Sequence, residues 1–186
     1  KKYSNYLAIN QNPIEKKNYE LIDNNSDLKK WCSLIEEIGT VSVDCETNSL
    51  NAVDAHIIGF SMSLANSKSC YIPLGHLGER IKQINLDDFI SVIKPILEDP
   101  SILKIGQNIK YDFIILKNLG IRVVNMDDTM LMSYVLRTGF RGHNLDELSS
   151  DFLSHNTQKF SDVTTIGKKK ISFAEVDLKS ALNYAA

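Results

Sequence analysis

The chain has 186 residues, of which 43% are hydrophobic and 24% are charged, as in one ordinary globular domain that buries a substantial core. Its formal net charge of -2 argues mildly against a high-affinity, non-specific nucleic-acid binder, because such proteins usually have a strongly basic face, but it allows an enzyme that needs only a few phosphate contacts. No apolar run approaches the roughly 18 residues of a membrane-spanning helix, and the N-terminus lacks the apolar stretch of a signal peptide, which predicts a soluble, cytoplasmic protein.

The first half of the chain predicts an arm, a helix and three strands. Residues 1–25 are polar and rich in Asn and Lys, which indicates an arm or linker. A helix with apolar residues at helical spacing follows from Ser26, its predicted cap, and ends at Gly39. Strands are predicted over about 40–47, 56–65 and 68–74. The second and third are separated by a short polar turn and should therefore pair as an antiparallel hairpin.

The second half alternates helices with short apolar strands. Helices are predicted over about 86–98, 108–119, 127–136, 144–152 and from 172 to the end, strands at 102–105 and 121–124, and a polar loop at 154–171. Together with the first half, this order predicts an α/β domain over residues 26–186. Its mixed sheet would have five strands, one of them antiparallel, and would be flanked by helices.

Acidic residues lie where two predicted strands end. Asp44 and Glu46 close the run 41–47, and Asp112 follows the strand at 102–105. Carboxylates two residues apart on a strand point to the same face and repel each other unless a cation neutralises them. A hard ion such as Mg²⁺ or Mn²⁺ accepts a few carboxylates and keeps positions for water and phosphate oxygens. Taken singly, each acid also fits an ordinary solvent-facing position.

The cysteines and histidines give no sign of a zinc site. The three cysteines form no CxxC pair and are odd in number, which favours reduced thiols, and the four histidines show no zinc spacing with them. Cys45 lies between two carboxylates and should point into the core. Phosphate contacts could come from lysines at positions 104, 110, 117 and 168–170, although a solvated surface explains each one taken singly.

Three motifs resemble a known family. They are Asp44-x-Glu46-Thr47-x-x-Leu50, Gly106-Gln107-Asn108-x-x-Tyr111-Asp112 and a late Tyr184-Ala185-Ala186. From about residue 20 to the end, the chain resembles the 3′ to 5′ proofreading exonuclease domain of bacterial DNA polymerase I, a DEDD exonuclease of the tyrosine branch. The resemblance implies a ribonuclease H-like fold and two-metal hydrolysis of the 3′-terminal phosphodiester of single-stranded or frayed DNA, which releases deoxynucleoside monophosphates.

The resemblance also implies roles for the site residues. Asp44 would bind both metal ions, Glu46 the first and Asp112 the second through water, while Tyr184 would orient the attacking water. The ions would be Mg²⁺ or Mn²⁺, with Zn²⁺ able to occupy one site in vitro. The implied substrate-binding residues are Thr47, Leu50, Gln107, Asn108, Tyr111 and Phe160.

The partners implied by the resemblance are a single-stranded DNA 3′ end and a polymerase domain located C-terminally in the same polypeptide, with no membrane and a monomeric state. In the family, an Asp follows the tyrosine by four residues, on the same helical face. Here only Ala185 and Ala186 follow Tyr184, so we expect a chain cut in its last helix, with weak activity alone. Two alternatives stay open: an RNA-trimming enzyme resembling ribonuclease D, and a catalytically idle scaffold that binds primer ends.

Overall fold

One mixed sheet organises the chain in the computed structural model, which describes residues 19–64, 68–139 and 142–186. In spatial order its six strands are β1 (Tyr19–Leu21), β4 (Lys68–Pro73), β3 (Ile57–Leu64), β2 (Thr40–Thr47), β5 (Leu103–Gly106) and β6 (Met126–Asp128). Only β3 runs antiparallel to its neighbours in this sheet. The prediction of a mixed α/β sheet with one antiparallel strand is confirmed, with six strands instead of five.

The additional strand comes from the predicted arm. Residues 19–21 form β1, which pairs in parallel with β4. Trp31 Nε1 donates a hydrogen bond to Glu20 Oε2 at 2.8 Å and so ties this edge strand to the first helix. The arm therefore contributes to the sheet from residue 19 onward, and residues 1–18 lie outside the described part of the chain.

The first helix, α1 (Asn25–Ile38), begins two residues earlier than predicted. Its cap is Asn24, whose side chain accepts a hydrogen bond from Asp27 N at 3.0 Å, and not Ser26. Asparagine and serine cap helices about equally well, so the residue types do not distinguish the two positions. The predicted end at Gly39 is confirmed, because this residue has a left-handed φ of 73°.

Six further helices follow: α2 (Leu86–Leu97), α3 (Lys110–Asn118), α4 (Thr129–Leu136), α5 (Leu145–Leu153), α6 (Phe160–Thr164) and α7 (Leu178–Ala185). The cap predicted at Asn144 is confirmed, since its side chain accepts from Glu147 N at 2.9 Å. Among the predicted capping candidates at 127–129, Asp128 is the cap of α4. None of the helices in the described ranges is long and apolar enough to cross a membrane.

Two predictions for the second half are wrong. Residues 121–124 form no strand, because after the left-handed Gly120 the amide of Ile121 donates to Leu116 O and that of Val124 donates to Leu97 O. The neighbour of β5 is therefore β6, a few residues later. The predicted loop at 154–171 contains α6 and a hairpin of β7 (Thr165–Ile166) and β8 (Lys169–Lys170).

The start of the last helix also differs from the prediction. Ser172 caps a short 3-10 helix, Phe173–Glu175, and Asp177 then caps α7.

Buried side chains form two cores. The larger one includes Trp31 and residues of α2, and the smaller one joins β4 to the chain from α6 to α7.

Lys104 corrects another prediction, because it is not available for phosphate contacts. Its side chain is fully buried, and Nζ donates to the carbonyl oxygens of Asp99 and Ile102, each at 2.7 Å. Burial lowers the pKa of this lysine, and the charge of Asp99 opposes that shift. Lys104 therefore closes the turn that leads into β5.

Candidate functional site

The acidic pair lies on a part of β2 that extends beyond its neighbour β5. β2 pairs with β5 only through residues 40–42, whereas its pairing with β3 continues to Thr47. Along this part, buried Val43 and Cys45 alternate with Asp44 and Glu46. The two carboxylates therefore share one face of the sheet and point away from the larger core.

Asp112 occupies the space that β5 leaves beside β2. The chain turns after Gly106, where a Cβ atom would lie 2.8 Å from Ile109, and enters α3. Asp112, in the first turn of α3, accepts a hydrogen bond from Cys45 N at 2.8 Å. Only 3% of Asp112 is exposed. Its carboxylate thus replaces the missing strand partner of β2.

The three carboxyl groups all have raised pKa values. Asp44 touches solvent, but protein atoms on its other sides displace much of its hydration, and this loss, followed by the charge of Asp112, raises its pKa to about 7. For Glu46, loss of hydration, then the charges of Asp44 and Asp112, raise the pKa to about 8. Burial raises the pKa of Asp112 to about 6, while its bonds from Cys45 oppose the shift. The charge of Asp112 therefore contributes to the raised pKa values of both Asp44 and Glu46.

The donor set fits a hard divalent cation only in part. Within the described ranges, no group of three or more His, Cys, Asp or Glu side chains is arranged to hold a metal ion. Asp44 and Glu46 line open clefts, whereas Asp112 is turned toward Cys45. Two adjacent, mutually repelling carboxylates suit Mg²⁺ or Mn²⁺, which keep several ligand positions for water and phosphate oxygens.

Two clefts meet at the acidic pair. The aromatic cleft, of about 660 Å³, is lined by residues 44–50, Tyr111, Phe160, 171–173 and Tyr184. The polar cleft, of about 700 Å³, is lined by parts of β2 and β5 and by residues 145–146, 155–158 and 183–186, among others. Asp44, Glu46 and Tyr184 belong to both. A chain bound in either cleft would therefore pass the carboxylates.

Three aromatic rings form one wall of the aromatic cleft. Phe173 is buried in the smaller core, with its ring centroid 5.7 Å from that of Tyr184 and 6.0 Å from that of Phe160. Phe160 is the first residue of α6 and is 50% exposed. Burial, then the charges of Glu46 and Asp44, raise the pKa of Tyr184, so its hydroxyl stays protonated near neutral pH. We call Phe160, Phe173 and Tyr184 the aromatic wall.

The opposite side of the aromatic cleft is the turn after β2. The hydroxyl of Tyr111 donates to Ser49 O and accepts a hydrogen bond from the hydroxyl of Thr47, whose oxygen lies 3.0 Å from Ser49 O. These bonds fix the turn that carries Leu50, which is 98% exposed at the rim. An apolar side chain exposed to this degree is available to contact a ligand.

The remaining two predicted substrate residues, Gln107 and Asn108, differ in their position relative to the clefts. Gln107 lines the polar cleft, but its amide is used internally, because Nε2 donates to His143 O at 2.8 Å and Oε1 accepts from Thr129. Asn108 is exposed, has a left-handed φ of 55° and lines neither cleft. Asn108 is therefore not brought together with the acidic pair.

Sequence reasoning assigned Asp128 only to a helix cap, although it also fixes the start of α3. Its carboxylate accepts from Asn108 N at 3.0 Å and Ile109 N at 3.1 Å, in addition to the amides at the start of α4. Asp128 thereby orients the helix that carries Asp112. The prediction of a helix cap within residues 127–129 was the available signal.

Residues 19–186 match a family model described as 3′-5′ exonuclease. DNA polymerase I of Rhizobium leguminosarum is 36% identical to the chain, covering 94% of it and 19% of the relative, and that of Pseudomonas aeruginosa is 33% identical, covering 95% and 20%. The chain thus spans about a fifth of the length of these relatives.

Solved structures share the fold at low sequence identity. Trypanosoma brucei RNase D has a TM-score of 0.71 and 18% identity, over 93% of this chain and 61% of that chain. Brucella melitensis NrnC with bound Mg²⁺ has a TM-score of 0.63 and 21% identity, over 90% of this chain and 71% of that chain. The fold is therefore that of ribonuclease H-like exonucleases.

Proposed function

Since this chain belongs to the 3′-5′ exonuclease family found in DNA polymerase I, we propose that it hydrolyses the 3′-terminal phosphodiester of single-stranded or frayed DNA as a proofreading domain. The products would be deoxynucleoside monophosphates. In this proposal the exonuclease domain, predicted over residues 26–186, also includes β1 of the arm and so begins at residue 19, and a polymerase domain follows in the same polypeptide. The relatives, five times longer and named DNA polymerase I, support that arrangement.

One observation carries the proposal: Asp44 and Glu46 lie side by side where the two clefts meet, next to Tyr184 and within the electrostatic influence of Asp112. Two adjacent carboxylates with raised pKa values are stabilised by a cation, so the pair would hold Mg²⁺ or Mn²⁺, with Asp112 holding a second ion through water. When bound, such ions lower the pKa of water and neutralise phosphate charge.

The residues of the chain supply the remaining functions. The hydroxyl of Tyr184 stays protonated and can both donate and accept, so it can orient a water beside the phosphodiester. The half-exposed ring of Phe160 offers a stacking surface for a terminal base, and such stacking contributes roughly 1 to 3 kcal/mol per base without sequence preference. Leu50, Thr47 and Tyr111 would contact the terminal nucleotides from the opposite side of the cleft.

Substrate roles for Gln107 and Asn108 have weaker structural support. Gln107 lines the polar cleft, and its Nε2 carries a second N–H besides the one that bonds to His143 O. It could therefore contact a nucleotide through this N–H while keeping its two internal hydrogen bonds. Asn108 would have to reach a more distant part of the strand. We therefore rank both below Phe160 and Leu50 as substrate contacts.

The proposal includes a fourth carboxylate that a longer polypeptide would supply. An aspartate two positions beyond Ala186 would lie one helical turn after Tyr184, on the same face of α7. We expect this chain alone to bind the first ion weakly and to cleave poorly. Adding a short C-terminal extension with aspartate at that position should increase cleavage, whereas the same extension with asparagine should not.

The test is hydrolysis of 3′-labelled single-stranded DNA in Mn²⁺ by the chain with its aspartate extension, on which every substitution is made, with RNA of the same sequence in parallel. Asp44→Ala should abolish the release of mononucleotides, and Glu36→Ala, on the exposed side of α1, is the control and should leave it unchanged. Equal rates for Asp44→Ala and the unsubstituted chain would contradict the proposal. Faster hydrolysis of RNA would favour the ribonuclease D-like alternative, and DNA binding without cleavage by the extended chain would favour the scaffold.

A further inference from the structure

A pair of buried polar residues lies behind the acidic pair and has no role in the function proposed above. Tyr71, on β4, is fully buried, and its hydroxyl oxygen lies 2.7 Å from Nε2 of His76. His76 is 4% exposed, and its Nδ1 lies 3.1 Å from the carbonyl oxygen of Val176. The three groups form a continuous hydrogen-bonded chain inside the smaller core.

The register of the sheet places Tyr71 beside the carboxylates. Asp44 is paired with Ser61 and Ser61 with Tyr71, so the three side chains share one face of the sheet. The ring of Tyr71 extends over Gly59, the partner of Glu46, because a Cβ atom at Gly59 would lie 1.9 Å from the Tyr71 hydroxyl oxygen. The absence of a side chain at Gly59 thus lets the phenol reach the strand row that contains Glu46.

Chemistry fixes the direction of the hydrogen-bonded chain. Tyr71 is a buried phenol that remains protonated, since burial and the nearby charge of Glu46 both raise its pKa. Its hydroxyl therefore donates to Nε2 of His76, and a neutral imidazole that accepts at Nε2 carries its proton on Nδ1. The Nδ1–H then donates to the carbonyl of Val176. Every polar group in the chain is satisfied in this one arrangement.

The Val176 end of this hydrogen-bonded chain lies in the segment that precedes α7. Beside the bond to Val176, Leu77 N donates to the carbonyl oxygen of Ala174 at 2.7 Å, so two adjacent bonds join the loop after β4 to the 3-10 helix and its C-cap. The ring centroid of Phe173 lies 5.9 Å from that of His76 and 5.7 Å from that of Tyr184. The position of His76 therefore affects the ring that packs against Tyr184.

We propose that Tyr71 and His76 are positioning residues that hold Phe173, and through it Tyr184, in register with Asp44 and Glu46. This inference rests on the proposed function, because it assigns the pair a task in that site. His76 acts through the Val176 carbonyl and the Phe173 ring, and Tyr71 acts by orienting the imidazole. Neither residue contacts the substrate.

Three substitutions separate the two hydrogen bonds. Tyr71→Phe removes only the hydroxyl that orients the imidazole. His76→Asn retains an amide N–H near the position of Nδ1 and so keeps the bond to Val176 without needing Tyr71. His76→Gln retains an acceptor near Nε2 but loses the bond to Val176. Tyr134→Phe is the matched control, since Tyr134 stacks on another histidine, His143, at 3.9 Å and lines neither cleft.

Tyr71→Phe and His76→Gln should lower kcat about tenfold on 3′-labelled single-stranded DNA in Mn²⁺, the effect of about 1.4 kcal/mol in the transition state. KM should change less than about twofold, because the stacking and rim residues stay exposed. His76→Asn should retain most of the activity, and adding Tyr71→Phe to it should have no further effect. Unchanged kcat in both single variants, or an equal loss from Tyr71→Phe in both backgrounds, would overturn the inference.

A second measurement does not depend on nuclease activity. In NMR spectra of the metal-free chain, the ring signals of Tyr184 and Phe173 should shift in Tyr71→Phe and stay in place in Tyr134→Phe. If the unsubstituted chain, with or without its aspartate extension, does not degrade DNA, the proposed function fails while the ring signals still test the positioning. If the chain degrades DNA and the ring signals do not move, only the positioning role is wrong.

Discussion

The amide of Cys45 donates a hydrogen bond to Oδ1 of Asp112 at 2.8 Å, and this bond joins β2 to α3 at the point where β5 ends. The two residues are 67 positions apart in the chain. The bond places a buried carboxylate where its charge, after loss of hydration, helps to raise the pKa values of Asp44 and Glu46, whereas burial raises the pKa of Asp112 itself and the bond opposes that shift. The stability of the metal-free chain should therefore depend on pH.

The first prediction concerns this pH dependence. Asp112 has a pKa of about 6 in the fold and an ordinary value of 3.8, so the folded chain binds its proton more tightly than the unfolded chain. The stabilisation is complete below about pH 4 and is lost as the pH rises through 6, and Asp44 and Glu46 extend the loss to about pH 8. In EDTA, the free energy of unfolding should fall between pH 5 and pH 8. Added Mg²⁺ should raise the free energy of unfolding more at pH 8 than at pH 5.

Asp112→Asn tests the contribution of the buried group. The amide oxygen can still accept from Cys45 N but cannot ionise, so this variant should lose less stability than the unsubstituted chain over the same range. The difference between pH 5 and pH 8 is about 1.4 kcal/mol, because only the interval of about one pH unit between pH 5 and the folded pKa of about 6 contributes in this range. Asp54→Asn, in an exposed turn, is the control. Urea unfolding at pH 5 and pH 8 measures the effect, and parallel curves for all three proteins would contradict it.

The second prediction concerns base stacking on the aromatic wall. Phe160→Ala should raise KM for single-stranded DNA by roughly 5- to 100-fold, since stacking contributes about 1 to 3 kcal/mol per base, and should leave kcat nearly unchanged. Phe152→Ala is the matched control, because Phe152 is also partly exposed but lines neither cleft. An equal KM for the two variants would exclude Phe160 as a stacking surface.

The third prediction concerns the lysines of the hairpin that follows α6. Lys168, Lys169 and Lys170 are exposed, and the next residues, Ile171 and Ser172, line the aromatic cleft. A lysine that contacts a phosphate of the bound strand releases a counterion, which contributes about 0.7 to the slope of log affinity against log salt. Each Lys→Ala change at such a contact should reduce the slope by that amount. Lys29→Ala, on α1, should not alter it, and equal slopes throughout would exclude phosphate contacts by the hairpin.

Local patterns predicted most of the fold. The alternation in β2 identified the shared face of Asp44 and Glu46, because side chains two residues apart on a strand point to the same face of the sheet. Gly39 and Asn144 marked helix boundaries correctly, since their conformations and side chains act locally. These features depend on neighbours within a few residues and are therefore readable from a single sequence.

Errors arose where contacts distant in the chain decide the structure. Ile121 and Val123 look like a strand, but their segment is fixed by hydrogen bonds to the ends of α2 and α3. The chain of Tyr71, His76 and Val176 spans more than one hundred residues and has no local signature. The same is true of Asp112, since its partner on β2 is known only once the strand register is known.

The last prediction concerns Lys104, which was expected on the surface and is fully buried. Lys104→Ala should destabilise the fold by about 3 kcal/mol, because it opens a cavity beside β5 and leaves two carbonyl oxygens without their donor. Lys117→Ala, on the exposed side of α3, is the control and should change stability by less than about 0.5 kcal/mol. Urea unfolding of both variants compares them directly. A loss below about 1 kcal/mol for Lys104→Ala would mean that the lysine is not a structural element of the turn before β5.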